Sequence, residues 1–219
     1  MKNKNFLQLI QKQFPAVRTS RLRLFLLVMI SLPIAVISQE DPFARFEEQN
    51  PVTDLDAPEP DPERARAYTT ERVNHGRYLV ELLGCGSCHT DGALIGKPDN
   101  GRLLAGSRVG ISYSNPLTQK NPGVLYPANL TPDDETGLGT WTDDQIRQVL
   151  QTGIDPEGRH TLSVMPWTTY AKLSRNDALA IVAYLRSLAP VQHKVPDNVT
   201  PGSPATEPYI HFGVYRSVP

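Results

Sequence analysis

The chain is poor in the residues that build covalent cross-links and metal sites. Its 219 residues include only two cysteines, three methionines and five histidines. Two cysteines exclude a framework of several disulfides, and they exclude a zinc site built from two cysteine pairs. Because Cys85 and Cys88 lie so close together in the sequence, any chemistry that they share is confined to one short stretch.

Positive charge is also scarce outside the N-terminus. Residues 1–38 contain six lysines and arginines and no acidic residue, which leaves 16 basic and 23 acidic residues in the rest of the chain, a net charge of −7. Nucleic-acid binding relies on clustered lysine and arginine that neutralise phosphates. The composition therefore argues against a nucleic-acid partner and against a polybasic membrane-surface protein.

The two cysteines and His89 form the motif C-x-x-C-H, which is the attachment signature of a c-type haem. On a helical turn, positions i, i+3 and i+4 share one face. Cys85 and Cys88 can therefore form thioethers to the two haem vinyl groups while His89 binds the iron as proximal ligand. A thioredoxin-like pair would use the same two thiols, and a disulfide between them would be strained. We predict one covalently attached haem c.

Few residues qualify as the second axial ligand of the iron. Met1 starts the chain and Met29 lies in an apolar N-terminal run, so Met165 is the remaining methionine. Met165 lies in a predicted loop, stiffened by Pro166, and methionine is a common sixth ligand in cytochromes c. We predict Met165 as the distal ligand. A core methionine, ligation by His160 in the same loop, and an open sixth site are the alternatives.

Residues 1–38 have the order of a targeting segment, with basic residues first and then an apolar run over 24–37. That run suits a cleaved signal peptide, since a membrane span needs about 20 residues, but the long basic region also fits an N-terminal membrane anchor. In either case the remainder is exported. Because bacteria attach c-type haem outside the cytoplasm, we expect a periplasmic protein, soluble or anchored to the inner membrane.

Composition divides the exported chain into three parts. Residues 39–68 are rich in acidic residues and proline and predict a solvated linker. Residues 69–190 contain the haem motif and the helical patterns, and we expect them to form the folded domain. Residues 191–219 are again rich in proline and predict a tail that extends along the domain surface or along a partner.

The spacing of apolar residues predicts helices over 70–84, 142–152 and 174–188. Gly76 lies inside the first helix, where glycine costs about 0.5–1 kcal/mol relative to alanine. A glycine at this position makes sense if the third helix, which contains small residues such as Ala178, approaches closely.

Trp141 precedes the second helix. Thr142 and Gln145 form the pattern of a capping box, and Trp141 and Ile146 occupy the positions of a hydrophobic staple. Trp141 is predicted either to act as a staple residue only, or also to donate its indole N–H to a haem propionate.

Together these features resemble a class I cytochrome c over roughly residues 71–190. The order is that of the family: a helix, C-x-x-C-H, long loops, a Met-Pro loop and a C-terminal helix. More narrowly, the chain resembles the cytochrome c modules that accept electrons from membrane-associated alcohol or gluconate dehydrogenases. The narrower resemblance rests on Ala128-Asn129-Leu130-Thr131-Pro132-Asp133, Thr136-Gly137-Leu138-Gly139, Trp141-Thr142-Asp143, Met165-Pro166-Trp167 and Tyr170-Ala171-Lys172-Leu173-Ser174. Those subunits often carry three haem modules, whereas this chain has one motif.

The resemblance implies an all-α, cytochrome c-like fold with three main helices around one covalent haem, long loops and extended termini. It implies axial ligation by His89 and Met165, and transfer of single electrons between a dehydrogenase and a downstream cytochrome or oxidase of a respiratory chain. Two alternatives stand beside this expectation. One is a haem enzyme or sensor with an open sixth site, and the other is a haem-bearing subunit that tethers a dehydrogenase to the membrane.

The haem motif generates a first testable prediction. Mass spectrometry of the denatured protein should show the mass of one added haem, because thioether bonds survive unfolding. Replacing both Cys85 and Cys88 with alanine should abolish that addition. Extraction of the haem from the wild-type protein into acidic organic solvent would contradict covalent attachment.

Overall fold

The computed structural model describes residues 55–158 and 164–212. The predicted targeting segment 1–38 and the candidate ligand His160 lie outside these ranges. In the described part, the regular structure is mostly helical, with one small three-stranded sheet. The α-helices are α1 (Pro62–Ala65), α2 (Thr70–Leu82), α3 (Cys85–His89), α4 (Asp143–Thr152), α5 (Trp167–Tyr170) and α6 (Arg175–Ser187), and the strands are β1 (Gly110–Ser112), β2 (Val124–Leu125) and β3 (Tyr209–Ile210).

The three longest helices begin at side-chain caps that the sequence predicts to within one residue. Thr69 caps α2 by accepting a hydrogen bond from the backbone N–H of Arg72, one residue before the predicted start of this helix at residue 70. At α4 the predicted capping box is confirmed, since Thr142 and Gln145 satisfy each other's backbone N–H groups. Ser174 accepts from the backbone N–H of residue 177 and so starts α6.

Helices α2 and α6 cross at a close approach centred on Gly76. A Cβ atom on Gly76 would overlap the carbonyl oxygen of Ala180 and lie 2.8 Å from Cβ of Tyr184. The predicted close approach is therefore confirmed. The crossing lies in the largest apolar cluster of the described residues, which we call the main cluster, and its buried members include Val73, Val80, Leu104, Ile146, Tyr170 and Ile181.

Residues 55–68, which composition predicts to be the end of a solvated linker, pack against α2 and α6. The backbone N–H of Ala57 donates to Glu81, and the carbonyl oxygen of Pro58 accepts a 2.6 Å hydrogen bond from the hydroxyl of Tyr184. The backbone N–H of Asp61 donates to the carbonyl of Ser187. Hydrogen bonds between the backbone of this segment and groups of the helices therefore hold it in place.

The small sheet corrects the expectation of an all-α fold. Strand β1 lies at the centre, antiparallel to β2 and parallel to β3 from the C-terminal segment, with Ile111 opposite Ile210. The strands contain two or three residues each, which is too short for an alternating pattern to be recognised in the sequence. Their pairing also joins segments far apart in the chain, so local propensity gives no sign of it.

Within the described residues, no helix combines the length and the apolar character that a bilayer span requires.

The crossing of α2 and α6 generates a stability prediction. Gly76→Ala should lower the free energy of unfolding by about 1–3 kcal/mol or more, because the added methyl group overpacks the crossing. Asn74→Ala, at an exposed position of the same helix, is the control and should leave stability nearly unchanged. Thermal melts of the two variants measure the difference. Equal melting temperatures would show that the helices separate at little cost.

Candidate functional site

The short helix α3 carries Cys85, Cys88 and His89 on a single turn, as the motif predicts. Gly84 precedes it in the left-handed conformation, with φ of 65°. This conformation, which glycine adopts without strain, lets the chain leave α2 and begin a new helix at once. The three side chains of the motif are all partly buried.

The two cysteines lie against different apolar clusters. Cys85 packs against the main cluster, whereas Cys88 packs against a second cluster whose buried residues are Leu94, Val109 and Ile111. Burial raises the pKa of Cys85 to about 11 and also raises the pKa of Cys88. A thioredoxin-like motif requires a thiol with a lowered pKa. The environment of these thiols therefore argues against that alternative.

The imidazole of His89 is held by one hydrogen bond. Its Nδ1 lies 2.7 Å from the carbonyl oxygen of Ala128. A carbonyl can only accept, so Nδ1 carries the proton and Nε2 is left with its lone pair, the form that binds a metal ion. Burial lowers the pKa of His89, an effect that outweighs the hydrogen bond to Ala128 and favours the neutral ring.

Asn129 fixes the backbone next to the carbonyl that holds His89. Its buried side-chain amide donates to the carbonyl oxygen of Val191 at 2.8 Å and to the hydroxyl of Thr136 at 3.0 Å. Its amide oxygen accepts from both the backbone and the side chain of Thr131. All four hydrogen-bonding positions of the amide are therefore used, which holds this loop in one conformation.

Met165 lies between α4 and α5, in the predicted loop. It is partly buried and packs against the main cluster, as Cys85 does, whereas the preceding Val164 packs against the second cluster. Met165 and Cys85 therefore both pack against the main cluster, and Val164 and Cys88 both pack against the second cluster. Axial ligation by Met165 stays a prediction.

Sequence reasoning missed the role of Tyr170. This residue of α5 is buried, and its pKa rises to about 12 because of burial first and the neighbouring thiols of Cys85 and Cys88 second. Tyr170 therefore shares the main cluster with Cys85, and both thiols influence its phenol. Its position in the sequence, five residues after the predicted ligand Met165, could have indicated that Tyr170 lies near the site.

Trp167 is a second residue that the sequence did not single out. Its indole N–H is buried and has no hydrogen-bond partner within the described ranges. Its ring lies against Gly153, where a Cβ atom would approach Cγ of the indole to 2.8 Å. A buried N–H donor two residues from Met165 fits an acceptor brought by a cofactor.

Trp141, predicted to be a staple residue only or a staple residue that also contacts a propionate, has a structural role. It packs against the main cluster, which also contains Ile146, as a hydrophobic staple requires. Its carbonyl oxygen accepts a 2.7 Å hydrogen bond from the guanidinium of Arg186. A contact between the Trp141 indole and a propionate stays a prediction.

The donor set fits a covalently attached haem. Two partly buried thiols and a thioether pack against the two apolar clusters, and an imidazole with a free Nε2 lone pair lies on the same helical turn as the thiols. Haem c attachment and axial ligation need these groups and this low-dielectric setting. Among the described residues, no cluster of histidine, cysteine and carboxylate side chains forms a separate metal site.

Comparison with known proteins agrees with this donor set. The chain is 33% identical over 129 residues to the cytochrome c subunit of the quinone alcohol dehydrogenase of Gluconobacter oxydans, covering 57% of this chain and 24% of the relative. It is 29% identical over 150 residues to the fructose dehydrogenase cytochrome subunit of Gluconobacter japonicus, covering 68% and 28%. The chain is a relative of the cytochrome c subunits of dehydrogenases. The resemblance predicted from the motifs is thereby confirmed.

Other relatives qualify the comparison. The chain is 30% identical over 132 residues to a subunit of the nicotinate dehydrogenase of Pseudomonas putida, and this match covers 60% of this chain and 10% of the relative. A relative from Cereibacter sphaeroides, 29% identical over 130 residues, is named a diheme cytochrome c-type, and the match covers 59% of this chain and 40% of the relative. The chain thus spans between a tenth and two fifths of these four relatives. No protein-family profile matches it.

The contact between Gly153 and Trp167 generates a prediction with a matched control. Gly153 and Gly158 both have positive φ, at 67° and 78°, but a Cβ atom on Gly158 would meet no atom of the described residues within 4 Å. Each Gly→Ala change should cost about 1–2 kcal/mol of backbone strain. Gly153→Ala should cost about 1–3 kcal/mol more, because it also displaces the indole. Chemical denaturation measures both. Equal losses would contradict a tight contact between Gly153 and Trp167.

Proposed function

We propose that this protein is an electron carrier, a c-type cytochrome that passes single electrons from a dehydrogenase to an acceptor of a respiratory chain. The observation that carries the proposal is the placement of Cys85, Cys88 and His89 on one short helix, with Nδ1 of His89 bound to the carbonyl of Ala128. The relatives named as cytochrome c subunits of dehydrogenases support it.

Each residue of the site has a defined part in this function. The haem supplies the one-electron couple of its iron when it is bound. Cys85 and Cys88 hold the cofactor covalently, so that it is retained through every cycle. His89 presents Nε2 while Ala128 keeps its Nδ1 proton in place. Met165 would be the second protein ligand of the iron. Its thioether would close the iron to other ligands and raise the reduction potential relative to ligation by two histidines.

The finer structural expectations belong to the same proposal. The chain contains one C-x-x-C-H motif and would therefore hold one haem. Helices α2, α4 and α6 would surround this haem. The proposed cytochrome c domain is residues 69–190. Residues 55–68 and strand β3 pack against it from outside these bounds. Residues 1–38 direct export and are cleaved or remain as an anchor, which places the domain in the periplasm. The order of basic and apolar residues in that segment supports this assignment.

The proposed electron donor is a dehydrogenase, and the proposed acceptor is a downstream cytochrome or oxidase. The relatives' names support the donor, since two of them are named as cytochrome subunits of alcohol and fructose dehydrogenases. The same names favour a second candidate, in which the chain remains in a complex as a haem-bearing subunit. Purification of the native protein distinguishes them, because a subunit co-purifies with a larger dehydrogenase chain and a mobile carrier does not.

Met165 decides between an electron carrier and a haem enzyme with an open sixth site. The wild-type ferric protein should show the near-infrared charge-transfer band of a sulfur–iron bond. Met165→Ala should abolish that band, lower the potential and open the reduced iron to carbon monoxide. Near-infrared absorption and carbon monoxide titration measure these changes.

His160→Ala is the control for this experiment. His160 lies in the same predicted loop and is the other candidate ligand of the iron. It should leave the band and the potential unchanged. If His160→Ala is the change that opens the iron, the axial assignment is wrong. If the untouched protein binds carbon monoxide readily, the enzyme or sensor alternative is favoured.

A further inference from the structure

The second apolar cluster, beside Cys88, is assembled from five segments of the chain, one of which contains Val109 and Ile111. Around its three buried residues pack four partly buried ones, Cys88, Ile95, Val164 and Ile210. Three of these lie in segments that already belong to the site, namely the haem motif, the turn that follows it and the loop of Met165. The fourth, Ile210, comes from the C-terminal segment, which sequence reasoning treated as a surface tail.

Backbone pairing fixes the position of Ile210. Strand β3 pairs with β1 in parallel, which places Ile210 opposite the buried Ile111 of the second cluster. The backbone N–H of Gly110 donates to the carbonyl oxygen of Pro208 at 2.9 Å, and this bond anchors the start of the strand.

Side chains before β3 strengthen this anchorage. Arg108 forms a 2.7 Å ion pair with Glu207, and the hydroxyl of Tyr126 donates to the carbonyl oxygen of Glu207. Further upstream, Val199 exchanges two backbone hydrogen bonds with Val124 of β2. The C-terminal segment is therefore held against the sheet over much of its length, and Ile210 does not reach the cluster by a loose contact.

We propose that β3 is part of the haem site and that Ile210 forms an apolar wall at the Cys88 side of the cofactor. The inference rests on the proposed function, because it assigns a contact to the haem that Cys85 and Cys88 would hold. A cofactor bonded to both cysteines adjoins both apolar clusters, and the side chains that share the cluster of Cys88 face the same edge. Ile210 excludes water from that edge.

The experiment compares Ile210→Asn with Phe212→Ala in the full-length holoprotein. Phe212 lies two residues further along, is 70% exposed and is not a member of the second cluster, so it serves as the control. Ile210→Asn should shift the reduction potential to more negative values, because a polar side chain and water at the haem edge stabilise the more highly charged ferric state. Phe212→Ala should leave the potential at the wild-type value. Spectroelectrochemical titration of both variants and the wild type gives the comparison.

Ile210→Ala is the second variant if the asparagine lowers the yield of holoprotein, and it should shift the potential in the same direction by a smaller amount. An unchanged potential in the isoleucine variants, with normal covalent haem in the wild type, overturns this inference and leaves the proposed function standing. An equal shift in Phe212→Ala also overturns it, since the effect would then belong to the tail in general. A wild-type protein without covalent haem overturns both proposals.

Discussion

The hydrogen bond between Nδ1 of His89 and the carbonyl oxygen of Ala128 is the interaction on which the rest of the site depends. It fixes the tautomer, orients the ring and leaves Nε2 for the metal. The acceptor is a backbone atom of a long loop, so the loop must be held as firmly as a helix. Asn129 provides this by using every hydrogen-bonding position of its amide, including one to Val191 after the last helix.

The described fold supplies an apolar setting on two sides of the haem motif. Cys85 faces a cluster that the crossing of α2 and α6 organises, and this crossing depends on the absence of a side chain at Gly76. Cys88 faces a smaller cluster built from loops, β1 and the C-terminal segment. The two cysteines of the motif thus pack against different surroundings. Cys85 contacts the helical cluster, and Cys88 contacts the cluster built mainly from loops and strands.

Local features of the site could be predicted from the sequence because their causes are local. The C-x-x-C-H turn is one example, and the capping box at Thr142 with Gln145 is another, since both depend on residues within one helical turn. The close approach at Gly76 could be predicted because glycine destabilises a helix interior and is expected there when another helix packs too closely for a side chain. The partner at the crossing, Ala180, could not be chosen from the sequence.

Features that join distant segments could not be predicted. The pairing of β3 with β1 depends on hydrogen bonds between residues about a hundred positions apart, and neither strand is long enough to show a pattern. The packing of residues 55–68 on the helices depends on polar contacts such as that of Tyr184 with Pro58, which composition does not encode. The buried indole N–H of Trp167, which has no partner among the residues that the structure describes, likewise depends on packing that the sequence does not show.

The proposed haem c has two axial ligands from this chain, one nitrogen from His89 and one sulfur from Met165. Near-infrared magnetic circular dichroism of the native ferric protein tests this ligation, because the position of the charge-transfer band identifies the two axial ligands. We expect a low-spin spectrum with the band of histidine–methionine ligation. A high-spin spectrum, or the band of bis-histidine ligation, would show that the iron is not ligated in this way.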